Sequence, residues 1–118
     1  MTIVVAGYID LEIGADRACI LAGGRPFIEA AWDEAGCVAY DWTPDPFKEN
    51  RIHVFEEWED VASLQVHLEG KPYLDMLGHL RGAGIIGAKT QKYRVDLIEP
   101  VYDETGVPRA DFFTDKPS

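Results

Sequence analysis

The stretch IVVAGYIDL, residues 3–11, is apolar on both of its alternating sets. Ile3, Val5, Ile9 and Leu11 point one way along an extended chain, and Val4, Ala6 and Tyr8 point the other. A strand apolar on both faces must be covered on both. In a chain of 118 residues, about the length of one ordinary domain, this demand leaves few arrangements open.

The segments that follow narrow the choice. Residues 16–34 carry a helical pattern interrupted by GGRP, where two glycines and a proline predict a kinked or split helix that ends at Gly36. CVAYDWTP (37–44) and RIHVFEEWE (51–59) carry β-favouring aromatics and alternation on either side of the turn-rich DPFKEN, which predicts a hairpin. Asp60 suits a helix N-cap, Val61, Leu64 and Leu68 make an apolar stripe, and Gly70 closes it. Lys71-Pro72 restarts a helix whose stripe is Tyr73, Met76, Leu77 and Leu80, with Gly82 and Gly84 as its stop. Residues 85–100 read as a fourth strand, and 101–118 as a polar tail holding the pair Phe112-Phe113.

The order β-α-β-β-α(α)-β is that of an α+β, ferredoxin-like split βαβ fold with a four-stranded antiparallel sheet, here over residues 1–100. Helices can cover one face of such a sheet. A symmetric partner covering the other is the economical solution, so a homodimer burying on the order of 800 Å² per subunit is expected, with the 101–118 tail as a segment able to pack on the partner.

Composition excludes several classes. Eleven Lys and Arg against 21 Asp and Glu leave a formal charge of −10, which repels phosphate backbones and anionic lipid surfaces. No apolar run approaches the roughly 20 residues that span a bilayer, and no basic segment precedes the first apolar run, so a cytoplasmic location is expected. Cys19 and Cys37 have neither CxxC nor metal-ligand spacing and read as small buried hydrophobes. No metal site is expected from the three histidines. GAGIIG (82–87) is a literal GxGxxG, but it follows a helix and opens a strand, the reverse of the context in which a helix N-terminus meets a pyrophosphate.

The candidate site lies in residues 52–76. Ile52, Val54, Glu56 and Trp58 share one strand face. Trp58 there is either a cavity wall or a large core residue. Glu56 among apolar neighbours needs a partner or a shifted pKa unless it reaches solvent at an edge, which is the simpler expectation. His67 falls beside the helix stripe, where it either faces a cavity as a base or is satisfied by a carbonyl at the helix surface. Tyr73 and Met76 are candidates for a substrate wall, or ordinary core. Tyr40 and Trp42 share a face that borders either the pocket or a dimer interface. His53 has the opposite parity, and His79 lies at the stripe's margin.

The run GCVAYDW followed by IHVFEEWEDVASLQVHLEGKPY resembles the antibiotic biosynthesis monooxygenase domain family, with Gly36, Cys37 and Tyr40 matching a GC…Y strand, Glu56 and Trp58 an E-x-W strand, and His67 a histidine in the next helix. The resemblance spans about residues 3–98. It implies a dimeric α+β barrel with a pocket between helices and sheet in each subunit, and cofactor-independent oxidation of a quinol or polycyclic aromatic phenol by dioxygen. Trp58 and His67 would be the catalytic pair and Tyr73 and Met76 would contact the small aromatic substrate. Haem-degrading relatives rely on a first-strand Asn, where this chain has Gly7 and Tyr8. A non-catalytic dimeric module that binds a small aromatic ligand satisfies the same fold.

Without a cofactor, the substrate anion must itself supply electrons to dioxygen. Moving a proton from a phenol of pKa ~10 to a histidine of ~6.5 is uphill by about 5 kcal/mol, so His67 alone is insufficient. The pocket must offset that gap with hydrogen bonds or local cations, or take a more acidic fused-ring quinol, and Arg17, Arg51 and Arg81 are the candidate sources of positive charge.

Overall fold

The computed structural model describes residues 1–115. Its elements are β1 (Thr2–Leu11), α1 (Arg17–Trp32), β2 (Cys37–Pro44), β3 (Arg51–Trp58), α2 (Val61–Glu69), α3 (Lys71–Ala83) and β4 (Ile85–Val95). The strands form one antiparallel sheet of order β2-β3-β1-β4, which puts the two-faced apolar strand β1 in the interior, hydrogen-bonded on both edges. The four strands and the expected order of elements are therefore present.

Register sorts the side chains. Ile3 pairs with Trp58, Val5 with Glu56, Gly7 with Val54 and Ile9 with Ile52, and this face meets the helices. It holds the buried Ile3, Ile9, Leu11, Tyr40, Ile52, Val54 and Trp58. The opposite face leaves Val4, Ala6 and Tyr8 half-buried and Phe55 and Tyr93 exposed. Two apolar clusters fill the helix-facing side, Ile3, Ala31, Tyr40, Trp58 and Leu64 at one end and Ile9, Leu11, Ile52, Met76 and Leu80 at the other, with Ile28 and Trp42 packed against both.

Several boundaries differ from the sequence expectation, each for a tertiary reason. α1 runs as one helix through Gly23, Gly24 and Pro26 and ends at Trp32, short of Gly36. The two glycines stand where α3 crosses: a Cβ on Gly23 would lie 2.8 Å from Cε1 of His79, and one on Gly24 3.0 Å from Cε of Met76. They act as contact points, and packing offsets the backbone bond that Pro26 forfeits. Gly36 sits in the turn before β2 with φ +80°, and a Cβ there would meet Ser63 Oγ at 2.0 Å, so both its conformation and its neighbour require glycine.

Asp60 caps α2 as expected, accepting from the Ser63 amide at 2.7 Å. The buried stripe of α2, however, is Leu64 and His67, while Val61 and Leu68 are 63% and 41% exposed. Gly70 is extended (φ −84°) and stands between α2 and α3 as the C-cap of one and the N-cap of the other. β4 stops at Val95 because its partner ends: Val95 pairs with Thr2, and nothing on β1 precedes it to hold residues 96–100. Cys19 is exposed and only Cys37 is partly buried; both are free thiols.

The tail is held largely by its own contacts. Tyr102 bridges Pro108, Asp103 accepts from the amides of Thr105 and Val107, and Glu99 accepts from those of Phe113 and Thr114. The radius of gyration, 16.7 Å, exceeds the roughly 13.5 Å of a compact chain this long. The last three residues of the expected 101–118 tail lie outside the described residues.

Candidate functional site

Between the two apolar clusters the helix-facing side of the sheet opens into a cavity of about 390 Å³, within the range of small-molecule sites. Two rows of cross-strand neighbours run beneath it. One row runs Tyr40, Glu56, Val5, Lys92; the next runs Trp42, Val54, Gly7, Thr90. Gly7 contributes no side chain, and β4 comes so close that a Cβ there would lie 1.9 Å from the Lys89 carbonyl oxygen. The floor is therefore low under the second row. Leu64 and Leu68 from α2 and Tyr73, Leu77 and Leu80 from α3 supply the roof. A second, more open groove of about 790 Å³ follows α1 and β2, and Trp42 lines both depressions.

The charged side chains lining the cavity are Glu56 and Lys92. Their places in one row, separated by the strand that carries Val5, put their backbones about 10 Å apart. A ligand over Val5 would meet a carboxylate on one side and an ammonium on the other.

Glu56 is 8% exposed. The edge position that reaches solvent, the simpler sequence expectation, is not what forms, because β2 covers β3 on its outer side and α2 lies above. Its Oε1 accepts from Trp58 Nε1 at 3.0 Å, two positions along the same strand face. Burial pushes its carboxyl above the ordinary glutamate range, against the opposing effects of the Trp58 bond and the His67 ring.

His67 is 1% exposed and caged by aromatic rings: Trp58 at 4.5 Å between centroids, Tyr40 at 5.2 Å and Tyr73 at 5.5 Å. The surface reading, with a carbonyl as its partner, is replaced by a different arrangement. Nδ1 lies 2.8 Å from Oε1 of Glu34, which follows the C-terminus of α1 and is partly open to solvent. A carboxylate only accepts, so Nδ1 carries the proton in this bond. Nε2 is buried without a hydrogen-bond partner among the described residues and lies 3.8 Å from Oε1 of Glu56. An orphaned buried nitrogen is uncommon.

The surroundings carry the same negative field. Burial and then the Glu56 charge push the Tyr40 hydroxyl well above its usual range, keeping it neutral, and burial with the Glu34 and Glu56 charges pushes the Cys37 thiol up.

The residues singled out from sequence are thus partly brought together. Trp58, His67 and Tyr73 form one contiguous group, with Tyr73 on the cavity wall and Trp58 and His67 directly behind Glu56. Met76 lies in the other cluster, against Gly24 and beneath α1, away from the cavity lining. The three arginines are occupied elsewhere or exposed. Arg17 donates to the carbonyls of Asp45, Lys48 and Arg51; Arg51 pairs with Asp10 and stacks on Tyr8; Arg81 is exposed in the last turn of α3. The cavity cation is Lys92, which sequence reasoning missed because its face follows from the β1–β4 register. Glu34 was missed as well, since nothing local links it to a histidine 33 positions away. His53 pairs with Asp45 on the other face of the sheet, and His79 donates to the Ile20 carbonyl.

Comparison with known proteins agrees with this architecture. The family described as antibiotic biosynthesis monooxygenase matches residues 3–77, a shorter span than the resemblance over about residues 3–98. The chain is 35% identical over 71 residues to an uncharacterised Synechocystis protein, covering 60% of this chain and 47% of that one, so it spans about half the length of this curated relative. Solved structures with the same fold include a conserved Methanosarcina mazei protein (TM-score 0.72, 19% identity, 81% of this chain and 94% of that one). Another is a candidate antibiotic biosynthesis monooxygenase from Deinococcus radiodurans (TM-score 0.71, 18% identity, 85% and 97%).

Proposed function

The chain belongs to the antibiotic biosynthesis monooxygenase family, and on that premise we propose that it is a cofactor-independent monooxygenase that oxidises a quinol or polycyclic aromatic phenol with dioxygen. The observation that carries this reading is the apolar cavity whose two charged lining groups, Glu56 and Lys92, stand on opposite sides of Val5. The carboxylate, backed by His67, suits removal of a phenolic proton, and the ammonium suits the oxyanion that results.

The chemistry balances without an external reductant. The phenolate delivers an electron pair from a ring carbon to dioxygen, forming a C–O bond; the peroxide takes up a proton, and its O–O bond breaks as the ring C–H proton is lost. One oxygen remains as a quinone carbonyl and the other leaves as water. The substrate is oxidised and dioxygen reduced. Tyr73 forms part of the wall that would hold the ring, Trp58 fixes Glu56 through its N–H, and His67 is the basic group behind it.

We place this site in a homodimer. The sheet face that carries half-buried Val4, Ala6 and Tyr8 and exposed Phe55 and Tyr93 supports face-to-face packing, and the exposed Val101, Tyr102 and Phe112 support a tail that lies on the partner. Light scattering at micromolar concentration should give twice the chain mass; a monomer would remove the dimer from this account.

The functional test is an oxygen electrode with a naphthoquinol. Uptake should exceed autoxidation, and His67→Ala should lose most of the excess. Equal rates with and without protein would end the oxygenase reading, and ligand binding without uptake would leave a non-catalytic aromatic-binding module.

A further inference from the structure

We infer that Glu34, His67 and Glu56 form a proton-holding triad in which Glu56 meets the acidic O–H of the substrate and His67 stores the proton behind it. This inference rests on the oxygenase reading for its purpose, though not for its geometry. Three segments that are distant in sequence converge to build it: the turn after α1 supplies Glu34, β3 supplies Glu56 and α2 supplies His67.

The geometry orders the roles. Glu34 holds Nδ1–H at 2.8 Å and so fixes the tautomer, which leaves the lone pair on Nε2. That nitrogen is buried, and Oε1 of Glu56 lies 3.8 Å away. Catalytic hydrogen bonds are often this long before a substrate is bound and tighten in the complex. Glu56 lines the cavity, whereas His67 does not. A substrate hydroxyl therefore reaches the imidazole only through Glu56.

In the ionised resting state, the substrate O–H proton passes to a Glu56 oxygen and the proton so acquired passes to Nε2. The imidazolium then stands between the Glu34 and Glu56 carboxylates. No net proton leaves the protein. The peroxide formed on the ring takes the proton back by the same path, so each turnover ends with His67 neutral.

The groups facing the triad are Tyr40 and Cys37 from β2, Trp58 from β3 and Tyr73 from α3, with Lys92 of β4 across the cavity. None of the first four is a cation, so among these described neighbours no positive charge competes at His67. Glu56 is the catalytic residue in this scheme, and Glu34 and Trp58 are positioning residues.

The test reads the stored proton without turnover. Long-range ¹H–¹⁵N spectra of the full chain under argon should show His67 as the Nδ1–H tautomer. A nitrophenol whose anion absorbs visibly should bind as the anion, while both nitrogens of His67 become protonated. In Glu56→Gln the bound phenol should stay neutral and His67 should keep its tautomer. In Glu34→Gln the tautomer preference should be lost. An Nε2–H tautomer in the wild type, a phenol that leaves His67 unchanged, or a Glu56→Gln protein that behaves as wild type overturns the triad.

Oxygen uptake separates the two ideas. The triad requires Glu56→Gln to lower kcat by about 10²-fold or more, and uptake at the wild-type rate in that variant sinks the triad while leaving the oxygenase standing. Proton storage on His67 with no oxygen uptake by any quinol sinks the oxygenase and leaves the triad.

Discussion

The two apolar clusters on the helix-facing side of the sheet are built from the same strands but solve different problems. The Ile9, Leu11, Ile52, Met76 and Leu80 cluster is apolar throughout, and the histidine at its border, His79, has its N–H satisfied by the Ile20 carbonyl. The Ile3, Ala31, Tyr40, Trp58 and Leu64 cluster surrounds a buried imidazole with one unpartnered nitrogen and a buried carboxylate that burial disfavours in its charged form. Polar groups left short of partners cost stability. The titratable pair stands beside the cavity with the first cluster, and the second cluster, which shares with it the unpartnered Nε1 of Trp42, holds its part of the fold together by apolar packing, so the two tasks are largely separated.

That separation can be broken at either end. The largest effect is expected in the apolar cluster, where Leu11 is 0% exposed. Leu11→Ala should cost about 2–5 kcal/mol in denaturant titration and leave the pH dependence of oxygen uptake unmoved. A shifted pH profile would mean that the clusters are coupled.

Trp58→Phe comes next. It keeps a large ring against His67 but removes the N–H that Glu56 accepts at 3.0 Å, leaving a buried acceptor unpaired at about 1–3 kcal/mol. Because that bond holds the Glu56 carboxyl down against burial, its loss should move the acid limb of kcat/KM to higher pH. An unmoved limb would show that Glu56 does not titrate in the reaction.

The smallest effect on stability, and the sharpest contrast, is that of Glu56→Gln. The native state holds the Glu56 proton more tightly than the unfolded chain does, since burial raises its pKa. The wild-type stability from this group is thus full below the ordinary glutamate range and lost as pH rises through the raised value. Glutamine does not ionise, so unfolding free energies measured across pH should show the variant gaining on the wild type in that window, with a constant difference below it. A difference that is flat at every pH would contradict the burial of an ionising group.

Much of the fold was legible in the chain. Strand parity placed Ile52, Val54, Glu56 and Trp58 on one face, and all four are buried there. Asp60 was readable as a cap because the bond it makes is local. Local pattern failed where a neighbour from elsewhere decides. Gly23 and Gly24 read as helix breakers, yet they are where α3 crosses a continuous α1. The α2 stripe read as Val61, Leu64 and Leu68, but the helix turned to bury His67.

The candidate site divides along the same line. Trp58, His67 and Tyr73 were visible as aromatic and imidazole groups at strand and helix spacing, and they meet. Glu34 and Lys92 were invisible, and Met76 fell in the other cluster, because each depends on which helix or strand lies alongside. By itself the sequence determined the alternation, the caps, the order of elements and hence the sheet, since these follow from interactions between residues near in the chain. The tertiary structure alone decided that two carboxylates 22 positions apart close on one imidazole beside a cavity: burial, an orphaned nitrogen and a raised pKa are properties of a place, and the place exists only once α1, α2 and the sheet have packed.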